Sequence, residues 1–111
     1  MLKLVSVRFP FFDKPTKAKV RPGLALTPPL SKHRFIVAAY ISTQVREVEN
    51  TDIVVDANDS EFGKTGLKQT SVIRLHKLSS VVESQVGGEI GELPAKWEKE
   101  VKQKLRLLLG L

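Results

Sequence analysis

The sequence predicts a mainly β domain, a small barrel closed by one C-terminal α-helix. Short segments that alternate apolar and polar residues recur at close intervals with turn signals between them. A stripe of helical period occurs at the C-terminal end. The length of 111 residues, 41% of them hydrophobic, suits one core, hence one domain over residues 1–111.

The first strand is expected over Leu2 to Phe9, with Val5, Val7 and Phe9 on one face and Leu4, Ser6 and Arg8 on the other. Pro10 ends it, and the basic loop "FDKPTKAK" follows. The second strand, Val20 to Thr27, sets Leu24 and Leu26 against Arg21, Gly23, Ala25 and Thr27. Pro22 has no N–H, so the strand must be an edge there or begin nearby. A second basic loop, "PPLSKHR", leads to Arg34 to Thr43, long and branched enough to need a bend or bulge. Asp52 to Asp56 is the fourth strand, and a connector with Gly63 and Gly66 precedes the fifth, Ser71 to Leu78. Val81 to Ile90, loosened by Gly87 and Gly88, is read as a further short strand. From Pro94 onward Trp97, Val101, Leu105 and Leu108 form the amphipathic stripe. Glu98 and Glu100 lie early in this helix and Lys102, Lys104 and Arg106 late, as its dipole prefers. Gly110 marks the stop. The run Leu107-Leu108-Leu109 is wider than one stripe, which suits a buried helix end or a subunit interface.

Lys and Arg number 18 against 12 Asp and Glu, a net charge of +6 that favours an anionic partner. The absence of cysteine removes disulfides and thiolate chemistry and fits the cytoplasm. No apolar run approaches a membrane span, and the N-terminus lacks the apolar core of a signal peptide, so no membrane partner is expected. His33 and His76 have no histidine partner at helical spacing, and no HExxH, phosphate-cradling glycine loop or GxSxG elbow is present. Neither a metal nor an organic cofactor is expected.

The chemistry-bearing residues are Arg21, the pair Ser42 and Thr43, and "SVIRLHKL", whose alternation puts Arg74 and His76 on one face and Ile73 and Leu75 on the other. Arginines, a hydroxyl and an imidazole fit phosphodiester cleavage in RNA, where the substrate's own 2′-hydroxyl is the nucleophile. Such cleavage needs proton transfer, which histidine supplies, and stabilisation of phosphate charge, which arginine supplies. Each residue also has a plainer reading: Arg21 pairing with Asp52 or Asp56, Ser42 starting a turn, His33 on the surface, Trp97 in the core.

The segments "FPFFD", "KVRPGLAL", "IVAAYIST" and "TGLKQTSVIRLHKLSSV", in this order, resemble the MazF/PemK family of toxin–antitoxin endoribonucleases, the mRNA interferases. The resemblance runs from about Leu4 into the C-terminal helix. It implies an SH3-like barrel, a homodimer, and metal-independent cutting of single-stranded RNA at short sequences, leaving a cyclic phosphate and a 5′-hydroxyl. It also implies a cognate antitoxin, often acidic in its C-terminal part, that occupies the RNA groove. The family's arginine before proline falls on Arg21, its hydroxyl at the end of the third strand on Ser42 with Thr43 as the alternative, and its "SV-I-R" arginine on Arg74. Where some members carry an aspartate two residues further on, this chain has His76. Expected catalytic residues are therefore Arg21, Ser42, Arg74 and His76, with Lys17, Lys19, Lys32, Arg34 and Thr43 holding RNA. Replacing Arg21 or Arg74 by alanine is expected to abolish cleavage with the fold intact. The family's usual Gly-Asp before the first strand is absent here, where the chain reads Met1-Leu2-Lys3-Leu4. The alternative is a non-catalytic toxin of the same fold, like CcdB, that binds DNA gyrase through its C-terminal helix.

Overall fold

The computed structural model describes residues 2–9 and 20–111, so Lys17 and Lys19 lie outside the described residues. Strands β1 (Lys3–Arg8), β2 (Val20–Ala25), β3 (Phe35–Ser42), β4 (Asp52–Val55), β5 (Ser71–Val82) and β6 (Val86–Glu92) precede helix α1 (Ala95–Leu109). The strands form a six-stranded antiparallel sheet in the order β4-β5-β3-β2-β1-β6. The mainly β architecture with a C-terminal helix is the one the sequence predicts, and β4 and β6 are the two edges of the ladder. No helix among the described residues is long and apolar enough to cross a membrane.

Most strand boundaries fall within one or two residues of expectation, and one place differs by more. β5 runs to Val82 rather than stopping at Leu78, and β6 begins at Val86 rather than Val81. Ser79 and Ser80 read as a break in isolation, but β3 pairs with this stretch as far as Val82, opposite Phe35. Val81 is buried with Ile36. Tertiary pairing overrides a weak local propensity. The Pro22 expectation is met: β2 pairs with β3 only from Gly23 to Ala25, so Pro22 owes that neighbour no N–H.

Both faces of the sheet carry apolar clusters, and the alternation assigns them. Leu4, Leu24, Ala39, Ile41, Ile53, Ile73 and Leu75 point to the first face, where Trp97 and Val101 of α1 cover them. Leu105 and Leu108 complete the helical stripe against the same cluster. Val5, Val7 and Phe9 point to the second face with Ile36, Ala38 and Val81. Pro94 is the N-cap of α1, and Gly110, at φ 70°, ends the helix in a left-handed cap. Leu107 and Leu109 are left exposed.

A 3₁₀ turn at Phe62–Thr65 ends on Gly66, whose φ of 73° suits glycine. A Cβ there would lie 1.8 Å from the carbonyl oxygen of Ile90, so the turn docks directly on β6. Gly110 has nearly the same φ but no atom within 4 Å of a Cβ. Gly66→Ala is therefore expected to cost at least about 2 kcal/mol and Gly110→Ala about 1 kcal/mol. Urea denaturation of the two variants checks this; equal losses would mean that the turn does not rest on β6.

Candidate active site

The register brings the chemistry-bearing residues to the second face. Gly23 lies opposite Tyr40, and Tyr40 opposite Arg74. Side chains two residues apart share a face, so Arg21 of β2, Ser42 of β3 and Arg74 of β5 stand on one side. The pairing of β3 with β5 then breaks: Ala39 is opposite Leu78 but Tyr40 is opposite Arg74. Leu75, His76 and Lys77 therefore have no partner in β3, and β4 reaches only as far as Arg74, opposite Asp52. This irregularity is the bend foreseen for the long strand, but the extra residues are in β5. Such bulges re-aim side chains. Leu75 stays in the first core, while His76 and Lys77 turn to the rim of a cavity of about 670 Å³. Arg21, Ser42, Thr43, Arg46 and Arg74 line the same cavity.

At its base lies a buried ion pair. Arg74 Nη1 donates to Asp52 Oδ2 at 2.6 Å, and the Asp52 side chain is fully buried. Nη1 also donates to the carbonyl of Glu47 (3.2 Å), and Nη2 to those of Gln44 (2.7 Å) and Arg46 (3.1 Å). The backbone N–H of Glu49 donates to Asp52 Oδ2 at 2.7 Å. Lys104 of α1 donates to the Asp52 carbonyl at 2.5 Å. One guanidinium and one carboxylate thus set the whole β3–β4 connection. Arg74 has a structural task that the sequence did not reveal, so Arg74→Ala is expected to disturb the fold rather than leave it intact.

The other residues differ in how free they are. Arg21 and Arg46 make no ion pair or hydrogen bond through their side chains among the described residues, so Arg21 pairs with neither Asp52 nor Asp56. His76 is 39% exposed, and its Nδ1 lies 3.4 Å from Asp52 Oδ1. Ser42 Oγ accepts the N–H of Gln44 at 3.1 Å, the turn contact expected of it, and still lines the cavity. Thr43 is exposed beside it. The Lys77 ammonium sits 5.4 Å from the centre of the Tyr40 ring. Glu47 and Glu49 also reach the wall, so the cavity is cationic but not uniformly so. A second cavity, about 340 Å³, shares Arg21, Pro22 and Thr43 with the first and has Val20, Leu67 and Ile90 in its wall.

Lys32 and Arg34 are not brought to this site. They precede Phe35, at the opposite end of β3 from Ser42, about 24 Å away along an eight-residue strand. Arg34 is paired there with Glu83 through Nε (3.1 Å) and Nη2 (2.9 Å). Sequence reasoning missed Asp52 and Arg46. Only the strand register reveals Asp52, while Arg46 carried no signal beyond its charge in a polar turn. Among the described residues no three histidine, aspartate or glutamate side chains gather as metal ligands would.

Comparison with known proteins gives a consistent outcome. The profile of a family described as PemK-like, MazF-like toxins of type II toxin–antitoxin systems matches residues 3–109. The fold is similar to the Mycobacterium tuberculosis toxin MazF-mt6, with a TM-score of 0.74 and 24% identity over 98% of this chain and 97% of that one. It is also similar to an endoribonuclease from a mycobacterial species solved in complex with its cognate antitoxin. There the TM-score is 0.70 at 16% identity, over 98% of this chain and 92% of the other. No curated protein sequence matches significantly.

Removing one partner of a buried ion pair leaves the other charged and unpaired, at about 3–5 kcal/mol. Arg74→Ala is expected to lose about that much, and Arg74→Lys to recover less than half, because one ammonium cannot serve Asp52 and the carbonyls of Gln44, Arg46 and Glu47 together. Thermal denaturation with hydrogen exchange over residues 43–51 checks both; a lysine variant with native protection there would count against the clamp.

Proposed function

This chain belongs to the PemK-like, MazF-like toxin family of type II toxin–antitoxin systems, and from that premise we propose that it is a metal-independent endoribonuclease acting on single-stranded RNA in the cytoplasm. One observation carries the reading: the guanidinium of Arg21, unpaired among the described residues, shares a cavity with His76 and the hydroxyls of Ser42 and Thr43. Its planar fork suits two phosphate oxygens. Arg74, fixed in place by Asp52, shapes the base of the cavity, and Arg46 and Lys77 add cations at the rim. The 2′-oxygen of the substrate attacks the adjacent phosphorus and the P–O5′ bond breaks, giving a 2′,3′-cyclic phosphate and a 5′-hydroxyl. His76 transfers a proton in this step as general acid or base, Arg21 stabilises charge on the phosphoryl oxygens, and Ser42 orients the attacking hydroxyl or a phosphate oxygen.

The antitoxin partner follows from the family, and an acidic segment would complement the same cations that hold RNA. The mycobacterial endoribonuclease of this fold, solved with its cognate antitoxin, supports both parts of the reading. A homodimer is proposed as well, with the exposed Leu107 and Leu109 as apolar surface available for it.

Purified protein incubated with single-stranded RNA in EDTA is expected to cut it, with cyclic phosphate on the 5′ product. Arg21→Ala and His76→Ala should each slow cutting at least about 100-fold while melting as the native chain does. Intact RNA under all conditions, together with capture of DNA gyrase, would move the protein to the CcdB-like binding class.

A further inference from the structure

We infer that Asp52 is the positioning residue of the proton-transfer group: its Oδ1 holds the His76 imidazole by Nδ1–H and so presents Nε2, unprotonated in the neutral ring, to the cavity. What Nε2 then does rests on the RNA-cleavage reading; the orientation of the ring does not.

The Asp52 carboxylate is asymmetric. Oδ2 accepts from Arg74 and from the Glu49 backbone. Oδ1 is the one buried side-chain oxygen or nitrogen among the described residues without a hydrogen-bond partner. Buried carboxylate oxygens are rarely left so, and the donor that faces this one is His76 Nδ1, 3.4 Å away. That separation is a few tenths of an ångström beyond an ordinary N–H···O bond. Catalytic hydrogen bonds are commonly this loose before substrate binds and tighten when it does.

The two partners differ in freedom. Asp52 is held by Arg74 and Glu49 at its carboxylate and by Lys104 at its carbonyl. His76 lies in the part of β5 that pairs with neither β3 nor β4, and it is 39% exposed. The imidazole is therefore the member that moves, and the carboxylate is a fixed reference for it. The two ring nitrogens point away from each other, so a ring with Nδ1 on Asp52 turns Nε2 outward, where Arg21 and Ser42 line the same cavity. The neutral ring can then act only as a base on that side. Nε2 takes the 2′-O–H proton as the O2′–P bond forms and the P–O5′ bond breaks. The leaving 5′-oxygen takes its proton from water, and the imidazolium returns one proton to the hydroxide so formed. In the imidazolium, Nδ1–H stays against the Asp52 carboxylate, which stabilises the charge acquired.

The test is long-range ¹H–¹⁵N correlation on the labelled full chain at a pH where both imidazoles are neutral, with His33→Gln to assign the two histidines. The expected result is the Nδ1–H form at His76 and the Nε2–H form, which free histidine prefers, at exposed His33. An Nε2–H ring at His76 would overturn the inference even if the protein cuts RNA well. Asp52→Asn should abolish the Nδ1–H preference and lower kcat at least about 100-fold with KM little changed, since an amide no longer fixes the tautomer. Native-like kcat in that variant also overturns the inference. Should Asp52→Asn fail to fold, the tautomer of the native chain alone decides. A chain that shows the Nδ1–H form and cuts no RNA refutes the function reading and leaves the placement of the ring standing.

Discussion

Arg74 and Asp52 face each other across the β4–β5 ladder, and the rest of the site is arranged around that contact. A buried ion pair is stabilising only when its remaining donors and acceptors are also satisfied, because desolvation of the two charges offsets most of their attraction. Here the other Nη hydrogens go to the carbonyls of Gln44, Arg46 and Glu47, Oδ2 also accepts the Glu49 N–H, and Oδ1 is left facing His76. Satisfying the pair therefore folds the β3–β4 connection. That connection carries Thr43, Gln44, Arg46, Glu47 and Glu49 into the cavity wall. Glu47 sits at φ 54°, an unfavourable backbone state for a residue with a Cβ, at one of the carbonyls Arg74 grips. The contact from Lys104 to the Asp52 carbonyl extends the same constraint to α1. The helix that seals the apolar core thus also fixes the floor of the polar site.

The ladder break in β5 has the complementary effect. Regular pairing would have spent the backbone groups of His76 and Lys77 on β3 and sent the two side chains to opposite faces of the sheet. With the register stepping from Leu78 straight to Arg74, Leu75 keeps its place in the core while its two successors are released to the rim. Fixed charge and movable imidazole then sit two residues apart on one strand. A proton-transfer group needs some freedom to approach substrate, and a phosphate-binding potential needs none. The neighbouring Tyr40 helps to define the rim, stacked edge-on against Phe9 at 5.6 Å and lying under Lys77.

Which parts of this were legible in the sequence follows from the range of the forces involved. Alternation is a local property, so the assignment of Val5, Val7 and Phe9 to one face and Leu4 to the other, and of Arg74 and His76 to a common side, could be read directly. The helical stripe from Trp97 to Leu108 was equally local. Register is not local: nothing in "TDIVVD" states that Asp52 will oppose Arg74, so the central carboxylate was visible only as a possible partner for Arg21. The end of a strand at which a loop emerges depends on topology as well, so the sequence alone does not separate Lys32 and Arg34 from the site, although Arg34 is committed to Glu83 at the far end of β3. The length of β5 escaped for the same reason, since Ser79 and Ser80 look like a turn until β3 is laid beside them. The expectations for Lys17 and Lys19 fall outside the described residues.

His76 occupies the position where some members of the resembled family carry an aspartate, and Asp52 makes sense of the difference. A carboxylate at 76 would face the buried Oδ1 of Asp52 at a few ångströms from the exposed rim of the cavity. Two carboxylates in such a place cannot both ionise cheaply, and one of them would take up a proton. An imidazole reverses the sign of the interaction, because it offers a donor to the same oxygen in its neutral state and a full positive charge in its protonated state. The substitution therefore matches the clamp beneath it: with Oδ2 already committed to Arg74 and Glu49, Oδ1 has among the described residues no donor but the one that position 76 provides. In this chain the residue opposite the strand arginine thus ties the proton chemistry of the rim to the ion pair of the floor.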